Sequence, residues 1–159
     1  MKKFTLIAIF TFFISALIHF QTKAQTSPNP MPILGLGNPW TETQVIEPHV
    51  LASIINNPKF SQPLIFNIGA VSDIKNAKHI GAVSEAQNMK NLSSAVHLFP
   101  KNTSIVIYCG CCPFNKCPNI RPAFKALQKE GFINIKVLDL PVNLKVDWSS
   151  KGYPLADTK

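Results

Sequence analysis

Four cysteines and one arginine in a short segment are the residues of this sequence best suited to chemistry. The segment runs from Cys109 to Arg121 and reads CGCCPFNKCPNIR; it holds every cysteine and the only arginine of the 159 residues. A thiolate is a nucleophile and a ligand for soft metals, and a guanidinium can bind an anion through paired hydrogen bonds. The composition therefore predicts either nucleophilic sulfur chemistry or metal binding.

This segment joins a predicted strand to a predicted helix. Thr103 to Tyr108 (TSIVIY) is an apolar run rich in strand-favouring residues. Asn119 to Glu130 has apolar residues at helical spacing, and Gly131 follows where helices commonly end in a left-handed residue. Unpaired N–H groups and the dipole at a helix N-terminus lower the pKa of a nearby thiol. We therefore expect Cys109 to be a nucleophile, with Arg121 orienting an anionic substrate.

The other predicted elements indicate an α/β fold. Strand candidates share a compact apolar, β-branched pattern, and they are Pro63–Ile68, Thr103–Tyr108, Ile133–Leu138 and two short segments at 45–46 and 144–146. Glu47 to Asn57 has apolar residues on one helical face. Strand, helix and strand over residues 103–138 form a βαβ unit, which implies parallel pairing and ligand-facing loops at the carboxyl ends of the strands. We expect a small central, mostly parallel sheet flanked by helices.

The N-terminus has the pattern of a secretory signal peptide. Lys2 and Lys3 precede an apolar run from Phe4 to Phe20, and Thr22-Lys23-Ala24 suits cleavage by signal peptidase. We therefore predict a signal peptide over residues 1–24 and an exported protein, either periplasmic or secreted. The alternative is an uncleaved membrane anchor, which also leaves the folded part outside the cytoplasm.

The rest of the chain has the size of one domain. Residues 25–40 contain four prolines and two glycines, which predicts an extended linker, and residues 41–158 are expected to form the domain. The net charge is +8, but the lysines are scattered without a basic cluster, so nucleic acid is not an expected partner. We expect a monomer without membrane contact once the signal peptide is removed.

Several motifs, taken together and in order, resemble the rhodanese-like family over roughly 41–155. The matching pieces are the PLIFNI strand, Lys78-His79-Ile80-Gly81-Ala82, the strand Ile105–Tyr108 before Cys109, the helix from Ala123 with its Gly131-Phe132 exit, Val137–Asp139 and the closing Trp148–Pro154. The resemblance implies a rhodanese-like domain that acts as a sulfurtransferase of the thiosulfate sulfurtransferase type or as a persulfide carrier. It assigns to Cys109 the cysteine that takes sulfur from thiosulfate or a persulfide and passes it to a thiol acceptor. Arg121 would be the cationic end of the loop.

The chain departs from the family's pattern around this site. Asn67 and Gly69 stand where the family has an acidic residue and an arginine. The loop after the cysteine is several residues longer than the family's, and counting back from Gly131 places the family's arginine nearer Asn119 than Arg121. An ion pair of the family is therefore absent, and the shape of the loop is left open.

The longer loop adds Cys111, Cys112 and Cys117, and three interpretations of these thiols stay open. One of them could resolve a persulfide or sulfenate on Cys109 by forming a disulfide. All four cysteines could bind a thiophilic metal such as Cu(I) or Zn(II). They could also form local disulfides in an oxidising compartment. The rival to sulfur transfer is thus a non-catalytic metal-binding or protein-interaction module on a degenerate rhodanese scaffold.

Overall fold

The computed structural model describes residues 37–157. The predicted signal peptide and all but the last four residues of the predicted linker lie outside the described residues, so both stay predictions. The main elements are β1 (Val45–Ile46), α1 (Pro48–Asn56), β2 (Leu64–Asn67), β3 (Ala77–His79), α2 (Ala86–Val96), β4 (Ile105–Tyr108), α3 (Ile120–Lys129), β5 (Ile135–Leu138) and α4 (Leu144–Asp147). None of the helices in the described part of the chain is long and apolar enough to cross a membrane.

The five strands form one parallel sheet in the order β1-β5-β4-β2-β3. The central strand β4 is buried along its whole length, as expected for a strand with helices on both faces. In the register of the sheet, Asn67 pairs with His79 on one side and Tyr108 on the other. The prediction of an α/β fold with a parallel sheet flanked by helices is confirmed. The carboxyl ends of β2, β3 and β4 meet at one edge, where Cys109 follows.

The predicted βαβ unit is confirmed, and the cysteine segment lies within it. Strands β4 and β5 are parallel neighbours in the sheet, and helix α3 connects them along the chain. The helix buries its apolar stripe, which consists of Ile120, Ala123, Phe124 and Leu127. It ends before Gly131, whose φ of +92° favours glycine.

The core fills both faces of the sheet. Helices α2 and α3 cover one face, and Cys109 and Cys117 are part of that core. Helix α1 and the segment around Trp148 cover the other face. Trp40 belongs to the first core, since it packs edge-on against Phe124 with ring centroids 5.6 Å apart. The ordered core therefore includes the last residue of the segment predicted as a linker.

The predicted strand at 144–146 is wrong, because this segment forms helix α4. The side chain of Asn143 accepts a hydrogen bond from the Val146 N–H at 2.9 Å, which is a helix N-cap. The Asp147 carboxylate accepts the Asn143 N–H at 2.8 Å and holds the same turn. Leu144 is buried while Val146 is 43% exposed, so the alternating apolar residues arise from one turn of helix.

Candidate functional site

Cys109 lies at the carboxyl end of β4, and its side chain has no exposed surface. Gly69, just beyond β2, packs directly against it. A Cβ on Gly69 would overlap the carbonyl oxygen of Cys109 and lie 2.7 Å from its Sγ. Only glycine allows the backbone to approach the sulfur this closely.

A network of polar side chains holds Gly69 in place. Asn67 is fully buried, and its Oδ1 accepts the Gly69 N–H at 3.0 Å. Its Nδ2 donates to Asp73 Oδ1 at 2.8 Å, and the same carboxylate oxygen lies 3.0 Å from Nδ1 of His79. Asn67 and His79 thus support the backbone on which Cys109 packs.

Asn119 is the polar side chain that contacts the Cys109 sulfur. Its Nδ2 donates to Sγ at 3.3 Å. Its Oδ1 accepts the backbone N–H of Ser84 at 2.8 Å, which turns the amide so that its N–H groups face the sulfur. Asn119 was not among the predicted site residues. The one signal for it in the sequence was the count back from Gly131.

The sulfurs of Cys109, Cys111 and Cys117 form what we call the three-sulfur cluster. These three Sγ atoms lie within 4.8 Å of one another, and those of Cys109 and Cys111 are 3.2 Å apart. All four cysteines of the chain are free thiols in this structure. Cys112 is half-buried beside the cluster, with its Sγ 3.6 Å from that of Cys111.

The backbone of the loop brings the cluster together. Gly110 has a φ of +73°, which reverses the chain between the first two cysteines. Its carbonyl oxygen accepts the Leu144 N–H at 2.9 Å, so helix α4 anchors the loop. A single 3-10 turn, Phe114–Lys116, then brings the chain back to the buried Cys117.

Charge in the three-sulfur cluster is concentrated on Cys109. Hydrogen bonding lowers the pKa of Cys109 to about 5: the Cys117 thiol contributes most, burial opposes it, and Asn119 and Cys111 add to the lowering. Burial and its neighbouring sulfurs raise the pKa of Cys111. The hydrogen bond between its side chain and that of Cys109 raises the pKa of Cys117. Two protonated thiols therefore surround one thiolate.

Replacing Asn119 with Ala is expected to raise the pKa of Cys109. A hydrogen bond to a charged group contributes about 1.5–3 kcal/mol, and here it favours the thiolate over the thiol. Because a lowered pKa means that the thiolate persists down to acidic pH, the variant should lose it at a higher pH than the wild type. Thiolate ultraviolet absorbance of reduced, metal-free protein measured against pH tests this.

The matched control for that titration is Asn91→Ala. Asn91 is exposed on α2, where its side chain accepts a hydrogen bond from Gln87. This variant should titrate as the wild type does. An Asn119→Ala curve that overlays the wild-type curve would show that the amide does not stabilise the thiolate.

A surface cleft of about 560 Å³ opens beside the cluster. Its lining consists of Ala70, Val71, Ser72, Gly110, Cys111, Asn143, Leu144, Lys145 and Ser149. Cys111 lines this cleft and is the exposed member of the cluster, and its Sγ lies 3.2 Å from that of the buried Cys109. The exposed Lys145 gives the cleft a cation that can attract an anionic ligand.

Arg121 makes its contacts away from the cluster. Its Nη2 donates to Oδ1 of Asn38 and to the carbonyl oxygen of Asn115, both at 2.6 Å. Its guanidinium lies over the Trp40 ring, 5.6 Å from the centroid. No hydrogen bond within residues 37–157 joins it to a cysteine. Arg121 thus ties the loop to the segment before β1, and its anion-binding role stays a prediction.

No protein-family model matches this chain, and no curated protein sequence matches it significantly. The rhodanese-like resemblance therefore rests on the motifs quoted above.

Proposed function

We propose that this protein is a rhodanese-like sulfurtransferase or persulfide carrier in which Cys109 is the nucleophile. One observation carries the proposal: the Cys109 sulfur lies at the carboxyl end of the central parallel strand and accepts a hydrogen bond from Asn119 Nδ2 at 3.3 Å. Ligands of parallel α/β sheets bind at this edge. Donors that stabilise an anionic sulfur suit both the attacking thiolate and the persulfide that it forms.

Sulfur transfer from thiosulfate needs only the Cys109 thiolate, thiosulfate and an acceptor thiolate. The Cys109 thiolate attacks the sulfane sulfur of thiosulfate, a new S–S bond forms, and sulfite leaves with the electron pair of the broken S–S bond. The persulfide anion then accepts the hydrogen bonds that the thiolate accepted. An acceptor thiolate attacks its outer sulfur and regenerates the Cys109 thiolate, so the cycle needs no external oxidant.

The cleft beside Cys111 is the approach for the donor. Lys145, on the cleft lining, attracts an anion such as thiosulfate, and the Ser72 hydroxyl, also on the lining, can donate a hydrogen bond to it. Cys111 lines this cleft and its Sγ lies 3.2 Å from that of Cys109, so we expect the Cys111 side chain to change its χ1 rotamer when a donor approaches Cys109. The proposed partners are therefore a small anionic sulfur donor and a thiol acceptor.

The test is sulfur loading of the reduced, metal-free protein. We expect incubation with thiosulfate to add the mass of one sulfur atom per chain, and peptide mapping to place it on Cys109. A small thiol added afterwards should remove this sulfur and carry it as a persulfide. An unchanged mass, or sulfur spread equally over the four cysteines, would refute the proposal.

A further inference from the structure

The three-sulfur cluster has the size of a metal site. Its three Sγ atoms lie within 4.8 Å of one another. An ion bound by three sulfurs in a plane at about 2.3 Å needs those sulfurs about 4 Å apart. Small side-chain adjustments would centre an ion between them, with the backbone unchanged. Since all three thiols are free, none has to be released from a disulfide first.

The donor set points to a soft cation. Every member of the cluster is a cysteine; within residues 37–157, no histidine or carboxylate joins it. Thiolate sulfur selects soft ions such as copper(I), whereas structural zinc takes four ligands in a tetrahedron. The Cys112 Sγ lies 3.6 Å from that of Cys111 but is not among the three sulfurs that lie within 4.8 Å of one another, so a fourth sulfur is not in place.

We propose that the three-sulfur cluster binds one copper(I) ion. Cys109 and Cys117 are the buried ligands, and the exposed Cys111 closes the site on the side of the cleft, which is the route of entry. Binding replaces the thiol protons, which go to solvent, and changes no oxidation state. Asn119 Nδ2 donates to a ligand sulfur and offsets part of the negative charge that three thiolates bring.

Copper binding goes beyond sulfur transfer and does not depend on it. Both use the Cys109 sulfur, so the ion and a persulfide exclude each other. Thiosulfate loading should therefore be blocked in the copper-bound protein and restored by a copper(I) chelator.

The experiment titrates reduced, metal-free protein with the copper(I)–acetonitrile complex under anaerobic conditions, in competition with a chromophoric copper(I) chelator. We expect one copper per chain by native mass spectrometry and a thiolate-to-copper charge-transfer band. Loss of a residue that only hydrogen-bonds to a metal ligand typically weakens metal binding by about 10–100-fold. Because Cys111 is itself a proposed ligand, Cys111→Ser should weaken copper(I) binding by more than this. Cys117→Ser should do the same, and Cys112→Ser is the control that retains the wild-type affinity. Because Cys111 is exposed, its variant keeps the test valid even if the buried Cys117→Ser unfolds.

Three results would overturn the copper site. These are no bound copper, equal affinities of Cys111→Ser and Cys112→Ser, or zinc(II) bound in preference to copper(I). Sulfur loading of the metal-free protein is measured in parallel. A protein that binds copper(I) but takes up no sulfur from thiosulfate refutes the proposed function alone. A protein that takes up sulfur but binds no copper(I) refutes the copper site alone.

Discussion

Cys109→Ser is expected to lower the rate of thiocyanate formation from thiosulfate and cyanide by at least about a thousandfold, because loss of a catalytic nucleophile removes the step on which turnover depends. A serine hydroxyl has a pKa far above that of a thiol and forms no persulfide. The oxygen would accept the hydrogen bond from Asn119, as the sulfur does, yet it could not carry sulfur. A coupled thiocyanate assay at neutral pH measures the change.

Two further variants make this result interpretable. Cys112→Ser changes a half-buried thiol in the same loop that is not a member of the three-sulfur cluster, and it should turn over at close to the wild-type rate. Cys109→Ala removes the nucleophile without placing a hydroxyl in the core. Each protein should show a cooperative unfolding transition before its rate is compared. A Cys109→Ser or Cys109→Ala protein that keeps the wild-type rate would exclude Cys109 as the nucleophile.

Trp148→Ala is expected to lower the free energy of unfolding by about 3–5 kcal/mol, the usual cost of truncating a buried Trp. Trp148 has no exposed surface, and its Nε1 donates to the Pro154 carbonyl oxygen at 3.0 Å. Its ring meets that of Tyr153 edge-on at 5.3 Å between centroids. Since small domains are stable by only about 5–15 kcal/mol, the loss is a large share of the total. Urea unfolding followed by circular dichroism gives the difference.

Leu98→Ala is the matched control for stability. Leu98 is also a large apolar residue, but it is 83% exposed, so its truncation should change the free energy of unfolding by less than about 0.5 kcal/mol. Equal losses in the two variants would show that Trp148 does not anchor the core.

The strand, loop and helix around Cys109 could be predicted because their signals are local. The run TSIVIY has the length and composition of a buried strand, and residues 119–130 have the spacing of an apolar helical stripe. A helix between two such strands requires parallel pairing, which the structure confirms. The strand prediction at 144–146 also relied on a local signal, and it was wrong. Over three residues, alternating apolar positions fit a strand and one turn of helix equally well, and the Asn143 cap decides between them.

The contacts of the sulfur could not be predicted, because they depend on residues far apart in sequence. Asn119 faces Cys109 because its amide is held by the Ser84 N–H, thirty-five positions earlier. Gly69, just beyond the neighbouring strand β2, packs against the Cys109 sulfur. Arg121, two positions after Asn119, turns instead towards Asn38 and Trp40. The spacing of residues within the loop does not indicate these contacts.

The sequence by itself determined the four thiols in one loop between a buried strand and an amphipathic helix, since composition and periodicity are properties of a continuous segment. Only the tertiary structure decided that three of the four sulfurs converge, that Asn119 contacts Cys109, and that Arg121 ties the loop to Trp40. The physical reason is that close packing at the edge of the sheet determines which side chains of the loop contact the Cys109 sulfur, although several lie equally near Cys109 in sequence. Burial and hydrogen bonding across β2, β4 and α3 then determine which sulfur carries the charge.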